Sequence, residues 1–344
     1  MKSRIQRLKA EYSQIILRQP FILSIRSATH ANIIRWTLTT EAGESFPGES
    51  VPVQYVTGET PESVLELAPK LDAMVRGEQI GDWLAISRGM ERAFPEHPAA
   101  RAGVEIALLN AFAAKAGISA QTLLGAAKAE VETDITISRL PNALEVACEA
   151  YNDDFRIFKL KVGGGSVEED LDRIAGIANA LPDARFRLDA NQSLTVRSTM
   201  DLLDSLQHAG IEIELMEQPV PKEDIRALDE VSRLTAVPII ADEGCRNARE
   251  AYRLFAETNV QGVNIKLMKS GILGALDTIA IAKAANRKLM IGCMLEGEIG
   301  MAASVALACG SGMFDYIDLD GHLLVDYGHR TSLFRANGPK LSTW

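Results

Sequence analysis

The chain of 344 residues is poor in cysteine and histidine, with four of the former and five of the latter. The cysteines stand far apart and form no CxxC pair; they are Cys148, Cys245, Cys293 and Cys309. This spacing argues against a disulfide framework and a structural zinc site, and it suits the reducing cytoplasm. Because the histidines are scattered as well, any metal site here should use oxygen ligands.

The sequence also lacks a surplus of basic residues and a long apolar run. Its 36 Lys and Arg against 46 Asp and Glu give a net charge of −10, so nucleic acid is not an expected partner. The N-terminus has no apolar signal core, and the weakly polar stretch at residues 301–314 is too short and too rich in Gly and Ser to span a bilayer. We therefore expect a cytoplasmic protein without a membrane partner.

From about residue 130, short β-branched runs alternate with amphipathic helical stretches. The predicted strands are residues 133–138, 157–162, 185–190, 212–217, 238–243, 262–267, 288–293 and 315–320. Alternating strands and helices predict a parallel α/β sheet, and eight such units favour a closed (β/α)8-type barrel over an open sheet.

Residues 1–125 have a different pattern. Residues 5–17 and 32–40 alternate like antiparallel strands, and helical stretches follow at residues 61–75 and 99–116. This predicts a separate α+β domain over residues 1–125 and a barrel over residues 126–321. The tail, residues 322–344, is expected to pack back on the first domain.

Charged residues recur where the predicted barrel strands end. In chain order they are Lys159, Lys161, Asp189, Glu217, Asp242, Lys266, Asp318 and Asp320. Parallel strands of a barrel end at one mouth, where barrel enzymes place their active sites. Any one of these residues could be a solvated loop charge, and alternation alone could put Lys159 and Lys161 on the helix side. The whole set is harder to explain in this way, because buried charges are costly unless they are paired.

Three of these residues, Asp189, Glu217 and Asp242, offer hard oxygen ligands from neighbouring strands, which suits Mg²⁺. A divalent cation would stabilise the enediolate that forms when a carboxylate substrate loses its weakly acidic α-proton. A flanking lysine can take that proton only if its pKa is lowered. Positive charge nearby and partial desolvation both act in that direction.

Another pair, Asp318 and Asp320, lies two residues apart on one predicted strand, so both side chains should point to the same side. Carboxylates so close repel each other. At least one should have a raised pKa unless a cation joins them.

Six motifs follow one another along the chain: Lys-x-Lys, Asp-x-Asn, Glu-Gln-Pro, Ala-Asp-Glu, Asn-x-Lys and Asp-x-Asp. This ordered set resembles the muconate-lactonizing-enzyme subgroup of the enolase superfamily, and within it the dipeptide epimerases, typified by L-Ala-D/L-Glu epimerase. The resemblance covers nearly the whole chain. It implies a modified TIM barrel, (β/α)7β, under an N-terminal α+β capping domain.

The same resemblance implies roles for individual residues. One Mg²⁺ per subunit would bind Asp189, Glu217 and Asp242, and Lys161 and Lys266 would be the acid/base pair. Supporting roles near the metal or the substrate carboxylate would fall to Lys159, Asn191 and Glu243.

The resemblance to the epimerases also implies three places in this chain that would recognise the substrate. Asp318 and Asp320 would bind the α-ammonium group of a dipeptide, although Asp318 could simply be a turn residue. Met294 lies in a Gly-Cys-Met-Leu-Glu stretch similar to the epimerase version of that strand end, and would contact substrate. Arg26 matches an arginine that reads a side-chain carboxylate in Ala-Glu epimerases, and a surface arginine on a mobile loop is the alternative.

We therefore expect a Mg²⁺-dependent isomerase that inverts the α-carbon of the C-terminal residue of a dipeptide by 1,1-proton transfer. Rival reactions on the same scaffold are N-acylamino acid racemisation, o-succinylbenzoate synthesis and muconate cycloisomerisation, whose substrates have no free ammonium group. A non-catalytic barrel of the same fold is a further alternative. A homo-oligomer is expected, and the identity of the dipeptide stays open.

Overall fold

The computed structural model describes residues 3–23, 26–328 and 333–343, without the side chains of residues 19–23, 26 and 27. Its N-terminal part has the strands β1 (Ile5–Leu23), β2 (Arg26–Thr40) and β3 (Ser45–Ser50), and the helices α1 (Gln54–Thr57), α2 (Pro61–Val75), α3 (Trp83–Ala93), α4 (Pro98–Ala116) and α5 (Ala120–Leu123). The strands form an antiparallel sheet in the order β1-β2-β3. The helices pack against it, mainly through α2 and α4.

The strands and helices predicted for this part are confirmed, and one strand and three helices were missed. Both β1 and β2 are longer than predicted. The missed strand, β3, contains Pro47 and Gly48, which suggest a loop in a sequence. Proline is tolerated here because β3 lies at the edge of its sheet. The longest missed helix is α3, a charged and amphipathic segment between the two predicted helices. The other two, α1 and α5, have four residues each.

The second part of the chain is a parallel barrel. After a short strand, β4 (Val131–Glu132), its strands are β5 (Ile135–Ile137), β6 (Ile157–Lys161), β7 (Arg185–Asp189), β8 (Ile213–Glu217), β9 (Ile239–Ala241), β10 (Gly262–Ile265), β11 (Lys288–Gly292) and β12 (Tyr316–Asp318). Its helices are α6 (Ala143–Asn152), α7 (Val167–Ala180), α8 (Val196–His208), α9 (Ile225–Leu234), α10 (Ala248–Glu257), α11 (Leu267–Ala284) and α12 (Glu298–Ser311). The strands are neighbours in sequence order from β5 to β12.

All eight predicted barrel strands are therefore confirmed, and each is shorter than predicted. Seven strand–helix units followed by a last strand make the (β/α)7β pattern that the resemblance implied. One detail of the prediction is wrong: β12 ends at Asp318, so Asp320 lies beyond the strand, directly before a short helix, α13 (Gly321–Leu324).

Alternation along β6 decides which side chains enter the barrel. Phe158 and Leu160 belong to the large apolar core that includes the surrounding helices. Lys159 and Lys161 therefore point into the barrel, where both contact carboxylates from other strands. Below them the interior is closed by a separate apolar group formed by Leu215, Ile240 and Met290. The alternative that these lysines face the helices is thus excluded.

Buried carboxylates attach the N-terminal part to the barrel helices. Helix α11 is interrupted at Gly271, whose φ of 73° suits glycine, and a new helical stretch starts there. Glu105 of α4 accepts hydrogen bonds from the backbone N–H of Ile272 (2.6 Å) and Leu273 (3.1 Å) at that start. Glu49 similarly accepts from the N–H of Gly300 in α12. Helix N-termini favour negative charge, so these contacts orient the N-terminal part over the barrel mouth.

The chain returns after the barrel to contact earlier elements. Val325 bridges to Leu17 of β1. Two strands, β13 (Arg335–Asn337) and β14 (Lys340–Ser342), then form a small sheet with β4. The predicted boundary near residue 125 falls between α5 and β4. No helix among residues 3–23, 26–328 and 333–343 is both long and apolar enough to cross a bilayer.

Helix α4 can approach β2 and β3 closely because Gly103 has no side chain. A Cβ at this position would overlap the side chains of Ser50 and Trp36, which are hydrogen-bonded to each other. Gly103→Ala should therefore lower the free energy of unfolding by about 1–3 kcal/mol through overpacking. Urea unfolding followed by circular dichroism measures this change.

A matched control is Gly176→Ala in helix α7, where an added Cβ meets nothing within 4 Å. This change should stabilise the protein by about 0.5–1 kcal/mol, because alanine is the better helix former. Equal unfolding midpoints for the two variants would contradict the proposed close approach at Gly103.

Candidate active site

A cavity of about 510 Å³ opens at the carboxyl ends of the barrel strands. The N-terminal part covers it with residues of β2 and with a segment at residues 51–62, which we call the lid. Nine of the residues predicted from the sequence line the cavity: Lys159, Lys161, Asn191, Asp242, Glu243, Lys266, Met294, Asp318 and Asp320. Asp189 and Glu217 lie beneath them, bonded to these lysines. The side chain of Arg26 falls outside the described residues.

Lys159 is at the centre of the buried charges. Its Nζ lies 2.7 Å from both Glu217 Oε2 and Asp318 Oδ2, and 3.2 Å from Asp189 Oδ2. Its side chain is only 3% exposed. Burial opposes its charge, but the carboxylates outweigh this and hold the pKa of Lys159 well above its ordinary value. Lys159 is therefore a fixed positive charge and links strands β6, β7, β8 and β12.

The other two predicted lysines face the cavity from opposite sides. Lys161 Nζ bonds Asp189 Oδ2 at 2.6 Å and Asn191 Oδ1 at 3.1 Å. Lys266 Nζ bonds Asp242 Oδ2 at 2.7 Å. Lys161 ends β6 and Lys266 follows β10, which are four strands apart in an eight-stranded barrel. A ligand between them would present one face to each ammonium group.

The electrostatics of Lys266 differ from the sequence-based expectation. Burial pulls the pKa of Lys266 down, but the carboxylates of Asp242 and Glu217 raise it well above its usual range. The lowering expected from nearby positive charge, the metal included, stays a prediction. The cause of the raised pKa is that Lys266 bonds directly to Asp242, a candidate metal ligand. The order of residues in a sequence does not reveal such a pairing.

The three carboxylates on β7, β8 and the end of β9 have different environments. Asp189 and Glu217 are partners in strand register. Burial opposes ionisation of Asp189, yet Lys161 and Lys159 hold its pKa at about 2. Burial raises the pKa of Glu217 to about 8, and the charges of Asp189 and Asp242 add to this. The pKa of Asp242 lies below its usual range in spite of burial, because Lys266 bonds it directly.

A fourth lysine, Lys269, was missed by the sequence analysis. Its ammonium group bonds Asp242 Oδ1 (2.6 Å) and the carbonyl oxygens of Asp242 (2.7 Å), Asn264 (2.7 Å) and Cys245 (3.0 Å). It fastens the loop after β9 to the start of α11. Lys269 lies three residues after Lys266, in the first turn of α11. This spacing could have indicated that both lysines lie near the same site.

Two amides hold the carboxylates in place and were likewise missed as site residues. Asn264 Nδ2 donates to Glu217 Oε1 at 2.7 Å. Gln218 Oε1 accepts from the backbone N–H of Asp242 (3.0 Å) and of Gly244 (2.9 Å). Both residues stand inside predicted motifs, beside the charged residues that drew attention to those motifs.

The backbone is strained where β7 and β8 end. Asn191 and Gln218 have positive φ values of 43° and 35°, and Gln192 has 72°. Residues other than glycine rarely adopt this region, and such strain is concentrated at functional sites. Asn191 also bonds within the site, since its N–H donates to Asp189 Oδ1 and its amide donates to Glu243 Oε1.

The Asp318 and Asp320 pair is divided between two partners. Burial opposes ionisation of Asp318, but Lys159 holds its pKa below the usual range. Asp320 Oδ2 accepts from the N–H of Thr136 on β5 at 2.6 Å. Burial raises the pKa of Asp320, and the charge of Asp318 adds to this. One member of the pair therefore has a raised pKa, as the sequence analysis expected.

The donor set suits a small divalent cation in its chemistry. Asp189, Glu217 and Asp242 offer only carboxylate oxygens, from three adjacent strands, and their charges interact with one another. No group of three acidic, histidine or cysteine side chains among the described residues already stands in ligating positions. The carboxylates are instead turned towards the ammonium groups of Lys159, Lys161 and Lys266.

Comparisons with known proteins agree with this geometry. A family model described as enolase C-terminal domain-like matches residues 142–338. The chain is 33% identical to the L-Ala-D/L-Glu epimerase of Thermotoga maritima over 341 residues, which cover 98% of each chain.

Solved structures are similar over almost the full length. The chain matches the substrate-liganded L-Ala-D/L-Glu epimerase of Bacillus subtilis with a TM-score of 0.95 and 28% identity, covering 99% of this chain and 96% of that chain. It matches a dipeptide epimerase of Enterococcus faecalis, complexed with Mg and the dipeptide L-Leu-L-Tyr, with a TM-score of 0.92 and 31% identity. That match covers 100% of this chain and 98% of the other.

The bonds of Lys269 make it a structural support of the site. Lys269→Met would leave three carbonyl oxygens and one carboxylate oxygen without their shared donor. We expect the free energy of unfolding to fall by about 3–5 kcal/mol, as when a buried pair loses one partner. Chemical denaturation followed by tryptophan fluorescence measures the shift.

Lys283→Met on the same helix, at an exposed position, is the matched control and should change stability by less than about 0.5 kcal/mol. If Lys269→Met unfolded at the same urea concentration as the control, this supporting role would be excluded.

Proposed function

We propose, from the premise that this chain belongs to the enolase C-terminal domain-like family, that it is a Mg²⁺-dependent dipeptide epimerase. It inverts the α-carbon of the C-terminal residue of a dipeptide by 1,1-proton transfer. The observation that carries this proposal is that Lys161 and Lys266 line one cavity from opposite sides. In a two-base epimerisation, one group removes the α-proton from one face and a second group returns a proton to the opposite face.

The chemistry of the metal follows from the donor set. Asp189, Glu217 and Asp242 would hold Mg²⁺, which when bound stabilises the negative charge that develops on the substrate carboxylate. A cation held by these carboxylates would weaken the interaction that raises the pKa of Lys266. Lys266 could then release its proton more readily, as a general acid/base group needs.

The remaining residues orient the substrate. Lys159 is a permanent positive charge beside the place of the substrate carboxylate. Asp318 and Asp320 would receive the α-ammonium group by charge-assisted hydrogen bonds, which favours a dipeptide over an N-acyl amino acid. Asn191 and Glu243 support the carboxylate ligands. Met294 lines the cavity and would contact the substrate.

Other features remain predictions from the sequence. Arg26 would read a carboxylate on the second side chain of the dipeptide. Residues 1–125 would be a capping domain on which the tail packs, and residues 126–321 the catalytic barrel. Assembly into a homo-oligomer and a place in the cytoplasm are expected as well.

Exchange of the α-proton in D₂O tests the two-base scheme. Wild-type enzyme should incorporate deuterium into both epimers of a dipeptide found in a library of L-Ala-L-Xaa compounds. Lys161→Ala and Lys266→Ala should each lose exchange with one epimer, at least about 100-fold, and the two variants should lose opposite epimers. Mass spectrometry and ¹H NMR measure the exchange.

The exposed Lys283→Ala should exchange both epimers at the wild-type rate. Should both site variants lose the same epimer, the two lysines would not face opposite sides of the α-carbon. Absence of exchange in every dipeptide, with the wild-type enzyme, would reject the epimerase proposal itself.

Removal of the metal or of one ligand should abolish activity without unfolding the chain. A chelator should stop epimerisation and added Mg²⁺ should restore it. Glu217→Gln keeps the size of the side chain and should weaken Mg²⁺ binding by about 1.5–3 kcal/mol or more, the loss of a bond to a charged group. Calorimetric titration with Mg²⁺ measures this directly.

For that experiment Glu223→Gln, at an exposed position after β8, is the control and should bind Mg²⁺ normally. Unchanged Mg²⁺ affinity in Glu217→Gln would place the metal elsewhere.

A further inference from the structure

The first and last strands of the barrel meet at a seam that side chains help to close. Strands β5 and β12 stand at the two ends of the strand order. A backbone bond joins Asp134 N to Ile317 O at 3.2 Å. Leu319 N donates to the hydroxyl of Thr133 at 2.7 Å. This seam carries Asp318, so whatever fixes the seam also fixes the backbone that bears this carboxylate.

Arg187 of β7 lies against this seam inside the barrel. Its Nη1 donates to Asp134 Oδ2 at 2.7 Å and to Ile317 O at 2.9 Å. Its Nε donates to Glu214 Oε2 at 3.0 Å. One buried guanidinium thus ties β7 to β5, β8 and β12. Lysine cannot reproduce these bonds, because its ammonium is a point charge without the planar fork of arginine.

Arg187 also balances charge beneath the cavity. Asp134 is fully buried, and its Oδ1 has no hydrogen-bond partner among the described residues. Burial and the nearby charge of Asp318 raise the pKa of Asp134, and Arg187 opposes this. Asp134 and Asp318 both interact with Lys159, so without Arg187 the charge of Asp134 would compete with Asp318 for Lys159.

We propose that Arg187 is a positioning residue for recognition of the substrate ammonium group, acting through the seam on Asp318. Ile317, whose carbonyl it binds, directly precedes Asp318, so a shift of that carbonyl moves the carboxylate. A misplacement of about 1 Å at a binding group can cost about 100-fold in rate. This inference rests on the proposed function, because it assumes that Asp318 receives an ammonium group.

The test compares two ligands that differ only in that group. One is a dipeptide that the wild-type enzyme epimerises, and the other is its N-propanoyl amino acid analogue, which lacks the ammonium. Wild type should bind the dipeptide more tightly, by calorimetry in the presence of Mg²⁺. Arg187→Met should reduce this preference about ten-fold or more and raise KM for the dipeptide more than it lowers kcat. Arg187→Lys should not restore the preference.

The matched control is Arg185→Met on the same strand, where the arginine is half-exposed and also bonds Glu214. It should keep the wild-type preference. A purely structural role for Arg187 would lower the unfolding midpoint and weaken both ligands equally, and that result would overturn the proposal.

A second variant covers the case in which Arg187→Met does not fold. Thr133→Val removes the hydroxyl that accepts from Leu319 N and loosens the seam without removing a charge. It should reduce the ammonium preference as well, and an unchanged preference would overturn the proposal.

If the wild-type enzyme exchanged no dipeptide at all, the proposed function would fail first. If the wild-type enzyme exchanged the α-proton and the variants kept its preference for the ammonium-bearing ligand, only the role of Arg187 would be rejected.

Discussion

Neutralisation of buried charge at the barrel mouth is the constraint on which this structure depends. Carboxylates on β7, β8 and β12 and directly after β9 are all but removed from water. A charge in such a place is strongly unfavourable unless it is paired. Four lysines supply the pairing, each bonded to at least one carboxylate. The strand ends must keep these groups in register, since a shift by one residue would turn every charged side chain towards the apolar helices.

Backbone turns and polar side chains at the strand ends help to hold these charged groups in position. Positive φ values at Asn191 and Gln218 turn the chain sharply. The backbone N–H and the amide of Asn191 then face the carboxylates of Asp189 and Glu243. Lys269 and Gln218 satisfy the backbone of the loop after β9. The site is thus held by polar groups whose partners are already in place, which reduces the reorganisation needed when charge develops on a substrate.

The N-terminal part is oriented by hydrogen bonds between buried carboxyl groups and helix N-termini. Glu105 and Glu49 reach from it to the N-termini of stretches in α11 and α12, where backbone N–H groups lack partners of their own. Glu59, at the end of the lid, accepts in the same way from the start of α4. These contacts place the lid over the cavity with directional bonds, whereas apolar packing alone would leave its orientation less defined.

The sequence by itself determined the class of fold, the eight barrel strands and the residues that gather at the mouth. Period-two and helical patterns are local, and parallel strands bring their ends to one side whatever the details of packing. Only the tertiary structure decided which carboxylate pairs with which lysine, that the pKa of Lys266 is raised, and that Lys269, Asn264 and Arg187 support the site. It also showed that Asp320 lies beyond its strand, where it bonds Thr136. Those properties depend on distances between residues far apart in the chain, and in a buried site small differences in distance decide which charge prevails.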